Sequence, residues 1–561
     1  MKPEPATTLV DELRRAVREV GAPEDFEPGL ERPRDTSHGD YATNAALVLS
    51  GRLGEPARDV ANRILQAFDK EAAGVMEIEV AGPGFLNFRL RDAVYWRGLL
   101  RILKADHAYG RSARDRPRAV NVEFVSANPT GPLHVAHGRG AAIGDVVASL
   151  FEWTGDAVTR EFYVNDAGRQ IDLLAASVEA RFQQRVGEEA ELPEGGYMGE
   201  YVRELADRAI QEEGLERLLG MEPEERVVLF GKLAIRWVRE GHERDLDDFR
   251  VHMDLFREES GLYTRGEIEG VLERLRAGEL IYEEGGATWL RTARFGDEKD
   301  RVLIKSDGSY TYFLPDIAYH LDKRSRGFDL AVDVWGADHH GHVGRMKAAL
   351  PALELPEDFL EVVIIQLVTV TRGGKEVRMS KRAGQFVTLR KLFEETGVDV
   401  ARYFFLMRRA EVPMSFDLDL ALDTSEANPV YKIQYAHARL CSVFERASLR
   451  PEEARATEEE LAELRRESER EIAKSLQRFP DVVLGAAQAR APSQVCAYLE
   501  RVAGLVNAWY HEGNLDPSLR IIADGPARPG RLVLARAVQI TLRNGLRLLG
   551  ISVPQRMDRE E

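Results

Sequence analysis

The apolar residues between Ala119 and Val164 change period twice, and that change limits the fold more than any other feature. Val120, Val122 and Phe124 alternate with Asn121 and Glu123, the period of a strand. Ile143, Val146, Val147, Leu150 and Phe151 then fall at i, i+3, i+4, i+7 and i+8, one face of a helix. Val158, Phe162 and Val164 return to alternation. Strand, loop, helix and strand within about 45 residues make one βαβ unit. The expectation is an α/β fold with a doubly wound parallel sheet.

Further strands come later in the chain. Leu330, Val332 and Val334 alternate, and Val362 to Ile365 with Leu367 and Val368 form the apolar run of a strand buried on both faces. Charged helical sequence over about 177–300 reads as an insertion in the sheet domain, taken as 113–427. Residues 1–112 read as a small α+β domain. It has an amphipathic opening (Leu9, Leu13, Val17, Val20), helix-like sequence from Tyr41 to Leu65, and strands around Ile78–Val80 and Phe85–Phe88. Ser112 to Arg118 is a polar linker. Beyond about residue 390 the chain reads as helical, with an all-α bundle over 428–561 and a capping box at Thr457 and Glu460 followed by Leu461, Leu464, Ile472 and Leu476.

Composition narrows the class. Of 561 residues, 44% are hydrophobic and 30% charged, which excludes wholesale disorder. The two cysteines, Cys441 and Cys496, cannot build a disulfide framework or a cysteine-rich zinc site. No apolar run reaches the ~18 residues of a membrane helix, and the opening residues lack a secretory pattern. A soluble cytoplasmic protein is expected. The net charge of −17 does not exclude a nucleic-acid partner, which needs only a local basic stripe.

The chemistry concentrates in two places. Asn128-Pro129-Thr130-Gly131-Pro132-Leu133-His134-Val135-Ala136-His137-Gly138 fills the loop after the first strand and opens the first helix. His134 and His137, three apart, share the first helical turn, where backbone N–H groups and the helix dipole favour a phosphate. Taken alone, His-x-x-His also suits a helix start without ligand or half a metal site. The second place is Arg378-Met379-Ser380-Lys381 after the turn Gly373-Gly374, a cationic loop whose Lys381 suits a polyphosphate.

Together these stretches resemble the HIGH and KMSKS elements of class I aminoacyl-tRNA synthetases. Longer strings are similar to arginyl-tRNA synthetases over nearly the whole chain: Glu123 to His134, Phe162 to Gln170, Lys305 to Tyr312, Trp335 to His342, Asn428 to Arg439, and His38 to Asn44 with Val80 to Phe85 in front. Ala136 stands where HIGH has its third residue, glycine, and Arg378 where KMSKS has its first lysine. The added methyl is expected to weaken ATP binding modestly, and Arg378 keeps the charge.

The resemblance implies ligation of L-arginine to its tRNA through an arginyl-adenylate, with ATP and Mg²⁺, by a monomer. It implies His134, His137 and Lys381 as catalytic residues. ATP contacts would come from residues 128–138, Asp338, His339 and Arg378 to Lys381. Arginine would be held by Tyr312, Asp316 and Glu259 at the guanidinium, whose planar fork needs carboxylates, and by Glu123 and Asn128 near the amino group. The run Asp338 to His342 has metal-ligand residue types, but a closed zinc site needs four well-spaced ligands. Its place after a strand and the family pattern favour ATP or substrate contact, and no resident metal is expected. Tyr431, Gln434, Tyr435 and His437 would meet tRNA bases, though Tyr431 and Tyr435 equally suit a core stripe. The front domain would contact the tRNA elbow. A nucleotidyltransferase of the same architecture would not need the long insertion and helical tail, and a non-catalytic relative would have lost the histidines or Lys381.

Overall fold

The computed structural model describes residues 4–33, 35–377 and 387–557. Its centre is a five-stranded parallel sheet of β1 (Ala119–Glu123), β2 (Ala157–Val164), β3 (Leu255–Glu258), β4 (Leu330–Gly336) and β5 (Leu360–Ile365), in the spatial order β5-β4-β1-β2-β3. The βαβ unit is present, with α1 (Val135–Trp153) joining β1 to β2. Val120, Val122 and Phe124 share a core with α1, and Gly144 lets the helix reach the sheet. A Cβ added there would lie 2.2 Å from Phe124 Cγ.

The run around Val362 is not buried on both faces. β5 is an edge strand, Val362 to Ile364 are half-buried, and Leu367 is 73% exposed. Val368 begins another strand, Val368–Arg372, in a separate small sheet with Lys375–Glu376 and Met414–Asp417. That last strand interrupts the region expected to be helical. An edge needs less apolar surface than a central strand, so the run could divide.

The charged stretch after α1 holds α2 (Glu200–Glu213) and α3 (Pro223–Asp248), whose apolar faces share a core with the helix Arg169–Arg185. Helix does not continue to residue 300. β3 rejoins the main sheet, and Ile281–Glu284, Ala287–Leu290 and Arg301–Ile304 form an antiparallel sheet. Next come α4 (Phe313–Ser325), packed on the sheet opposite α1, and α5 (His340–Ala349). Residues 4–105 form an α+β unit with an antiparallel sheet of Tyr41–Thr43, Phe85–Leu90 and Val75–Ala81. Tyr41–Thr43 is thus a strand, and the helix expected from Tyr41 is two helices, Ala45–Leu53 and Ala57–Ala67, parted by Gly54 at φ +69° and by Pro56.

Helices α6 (Leu389–Thr396) and α7 (Val398–Leu406) lead to a helical bundle that starts with α8 (Pro429–Arg446). The Thr457–Glu460 capping box forms, but Leu461 belongs to the helix Glu458–Ala462, Leu464 to the loop after it, and Ile472 and Leu476 to a second helix, Glu467–Leu476. Two junctions, the first of them buried, tie bundle to sheet. Arg402 of α7 donates to Asp145 Oδ2 at 2.5 Å and to the carbonyls of Phe249, Arg250 and Leu549. Asp399 accepts from Arg250, Gln434 and the Ser552 amide. Among the described residues no helix is long and apolar enough to cross a membrane.

Gly144→Ala should destabilise the protein by about 1–3 kcal/mol, because neither helix nor strand can retreat from the added methyl. A lowered thermal unfolding midpoint with an unchanged far-ultraviolet spectrum is the expected reading.

Candidate active site

All five parallel strands end on one edge, where open α/β sheets bind ligands. The chain leaving β1 is strained there: Val125 and Ser126 have φ of +71° and +38°, unusual outside glycine. It then crosses residues 128–134 and enters α1 with His134 as N-cap. His137 Nδ1 accepts the His134 backbone N–H at 3.3 Å, and the two rings stack with centroids 3.7 Å apart. Since Nδ1 accepts, the hydrogen of the neutral His137 ring sits on Nε2. The two imidazoles stand side by side at the positive end of a 19-residue helix. Ala136, between them, is exposed.

This loop is held from behind. The Tyr201 hydroxyl of α2 donates to the Thr130 carbonyl at 2.7 Å, and His242 Nε2 of α3 donates to the Gly131 carbonyl at 2.7 Å. Burial pushes the His242 pKa down, so it serves as a neutral donor. Asn128 donates to Gln170 Oε1 at 2.7 Å. The segment carrying Arg378, Met379, Ser380 and Lys381 lies outside the described residues. A few positions further along, residues 387–389 pair with the start of α1. Thr388 bridges to His134, Leu389 N–H donates to the Leu133 carbonyl at 2.9 Å, and the Val387 carbonyl accepts from Val135. Arg390 then joins α6 to Asp245 and Asp248 of α3.

Acidic residues gather beside the histidine turn. Burial pushes the hydroxyl pKa of Tyr163, at the end of β2, well up, and the nearby charges of Glu259, Asp316 and Glu123 add to it. Glu259 is buried and accepts from the Tyr263 hydroxyl at 3.3 Å; burial, then Asp316, raises its pKa. Asp316, in the first turn of α4, accepts from His342 Nε2 at 2.8 Å, and Tyr312 at the start of that helix is 81% exposed. Glu259 and Asp316 thus lie near enough to each other and to Tyr163 to feel one another's charge. Glu123 is turned away from solvent. Its carboxylate is buried, with Oε2 on Lys323 Nζ at 2.7 Å and Oε1 taking the Ser126 hydroxyl at 2.8 Å. Asp338 and His339 are exposed on the turn after β4, at the same sheet edge. Among the described residues no group of three or more His, Cys, Asp or Glu has metal-binding geometry.

Tyr163, Ser126 and His242 escape a reading by pattern. Tyr163 and Ser126 are ordinary strand and loop residues in sequence, and His242 lies in a helix more than 100 positions from its partner, Gly131.

On α8 the four expected tRNA contacts divide. Gln434 and His437 are buried and hold the C-terminal tail, through Asp399 and Ser552 and through the Pro554 carbonyl at 3.1 Å. Internal partners leave neither side chain available to a base. Tyr431 and Tyr435 are half-buried and stack one turn apart with centroids 5.9 Å apart, and Arg439 lies over the Tyr435 and Tyr510 rings.

The comparisons with known proteins agree along the chain. Residues 7–90 match the arginyl tRNA synthetase N terminal domain. Residues 99–410 match the catalytic domain of class I (R) tRNA synthetases, and 433–557 the DALR anticodon binding domain. The arginine–tRNA ligases of Bacillus licheniformis and Geobacillus kaustophilus are 45% and 46% identical to this chain, each over 556 residues and 98% of both chains. In fold, the arginyl-tRNA synthetase of Thermus thermophilus superposes with a TM-score of 0.77 at 23% identity, over 98% of this chain and all of that one.

Burial lowers the His437 pKa to about 4 from a usual 6.5, so the folded protein keeps this ring neutral. The unfolded chain takes up the proton first as pH falls, so the stability from this site is intact above pH 6.5 and is lost towards pH 4. The loss should reach about 1.4 kcal/mol per pH unit. Urea unfolding at pH 7 and pH 5 should show it, with a smaller difference in His437→Asn.

Proposed function

The chain belongs to the arginyl-tRNA synthetase family, and from that premise we propose that ATP lies along the His134–Gly138 turn while arginine enters the acidic pocket beside it. The activity is the ATP-dependent ligation of L-arginine to its tRNA through an arginyl-adenylate, with release of pyrophosphate and AMP. The observation that supports this assignment of the site is the pairing of two features on one sheet edge: stacked imidazoles at a helix N-terminus, and Glu259 with Asp316 around Tyr163.

In the first step the arginine carboxylate attacks the α-phosphorus and pyrophosphate leaves in line. In the second a terminal ribose hydroxyl of the tRNA attacks the adenylate carbonyl and AMP leaves. No side-chain nucleophile is needed. Catalysis is positioning and charge stabilisation. His137 offers Nε2–H to a phosphate oxygen, and His134 is fixed beside it by the stack and the bridge to Thr388. Lys381 supplies a cation seven positions before Thr388, and Arg378 a second positive charge near it in sequence. Mg²⁺ enters with ATP as the complex that is the substrate.

Tyr312, Asp316 and Glu259 take the guanidinium. Lysine lacks the planar fork and would leave carboxylate oxygens unpaired. Ser126, supported by Glu123, and Asn128 face the amino group. Asp338 and His339 reach ATP from the end of β4. Tyr431 and Tyr435 stack on tRNA bases, and the front domain meets the tRNA elbow. The protein is taken to act as a monomer, and the reaction serves protein synthesis in the cytoplasm.

Arginine-dependent ATP–pyrophosphate exchange, measured with total tRNA present, tests the assignment. His137→Ala should slow exchange by about 10²–10³, and Lys381→Ala by a few powers of ten, on the order of 4 kcal/mol, with arginine affinity barely altered. Exchange at the wild-type rate in Lys381→Ala would refute the placement of ATP. Tyr435→Ala should weaken tRNA binding by about 1–3 kcal/mol, and unchanged affinity in a filter-binding titration would move the base contacts elsewhere.

A further inference from the structure

Asp333 of β4, Glu123 of β1 and Glu161 of β2 are register partners, so three carboxylates lie in one row across the sheet, all buried. Helix α4 lies over that row and inserts cations into it. Lys323 Nζ reaches both Glu123 Oε2 and Asp333 Oδ1 at 2.7 Å, and is fully buried. His320, 2% exposed, holds Asp333 Oδ2 through Nε2 at 2.8 Å and the Asp316 carbonyl through Nδ1 at 2.7 Å. Arg326 covers Glu161 separately, with two contacts of 2.7 and 2.8 Å.

These bonds form a continuous chain of Ser126, Glu123, Lys323, Asp333, His320 and Asp316. One end sits on the loop assigned to the substrate amino group, the other on the helix turn that carries the guanidinium carboxylate. The positions 316, 320 and 323 repeat at helical spacing, so one face of α4 carries Asp316 together with the two side chains, His320 and Lys323, that tie this helix to the carboxylate row. We propose that this buried chain is a spacer: Lys323 and His320 are positioning residues that set the length of guanidino amino acid the pocket accepts. The proposal rests on the arginine reading of the pocket and adds to it a physical determinant of length. Hydrophobic contacts discriminate a single methylene weakly. A rigid separation between two polar ends discriminates it strongly, because the wrong length leaves one end unpaired.

The test compares kcat/KM for arginine with those for its homologues one methylene longer and one shorter, in aminoacylation with tRNA present. The wild-type protein should favour arginine over both by at least about 100-fold. His320→Asn keeps the donor towards Asp316 and loses Asp333; His320→Gln does the reverse. Each should reduce the preference by about tenfold or more, chiefly through a raised KM for arginine, with kcat changed by less than about threefold. Arg326→Gln breaks a buried pair of the same region outside the spacer, and should lower the melting temperature while leaving the preference unchanged. A preference retained in both His320 variants overturns the proposal. So does a wild-type enzyme that takes either homologue within tenfold of arginine, a measurement that needs no variant to fold. An enzyme that charges arginine yet tolerates a homologue overturns the spacer alone. One that charges no arginine overturns the pocket reading and the spacer with it.

Discussion

Three acids side by side in a dry sheet cannot remain ionised without cations among them, and that requirement organises this protein. Like charges on adjacent strands repel, and burial removes the water that would screen them. Lys323, placed between Glu123 and Asp333, answers Asp333 fully and Glu123 in part, whose pKa burial still raises, and Arg326 answers Glu161. Asp333 is held at about 2 as burial is outweighed by Lys323 and His320, while the two carboxylates raise Lys323. Replacing one member would leave a bare charge costing about 3–5 kcal/mol. Helix α4 is therefore fixed in rotation and height on the sheet, and Asp316 and Tyr312 at its opening turn are fixed with it.

The nucleotide side is built on another logic. A loop rich in proline and glycine offers few side chains to anchor it, so the inserted helices hold it by its carbonyls, through Tyr201 and His242. Residues 387–389 close the other side, and Arg390 clamps their helix back on α3. The same α3 runs on to Arg250, whose guanidinium meets Asp399 beside Gln434 of α8. The insertion is thus a brace between the loop that opens α1 and helix α8, which carries Tyr431 and Tyr435.

Much of this was legible in the sequence, for reasons that can be stated. The switch of period from two to 3.6 and back announces the βαβ unit, and the glycine–proline loop before His134 announces its turn. The alternation of Asn121 and Glu123 with valines was harder to interpret. In an antiparallel sheet it would mean a solvated face. Here both faces are covered, and the polar face is buried against α4, whose His320 and Lys323 lie some 200 positions away. Edge and centre are likewise not written locally, which is why the Val362 run reads as a central strand. Gln434 and His437 failed as base contacts for a related reason: their partners lie in the C-terminal tail, and no spacing within α8 shows it.

The same charge accounting bears on the proposed arginine site. Glu123, Asp333 and Glu161 are matched by cations from α4 and its end, so their field is largely cancelled at the sheet edge. Among the described residues Glu259 has no ion-pair partner, and Asp316 has only His342. Among the described residues these two acids thus lack the buried cation that Glu123, Asp333 and Glu161 have, at the place proposed for the substrate side chain. A cation is drawn there, while a neutral side chain of the same length would have to desolvate two carboxylates without replacing the water they lose. Ordering among cations then falls to geometry: a planar fork can satisfy oxygens on two acids at once, and an ammonium offers a single point of charge to both.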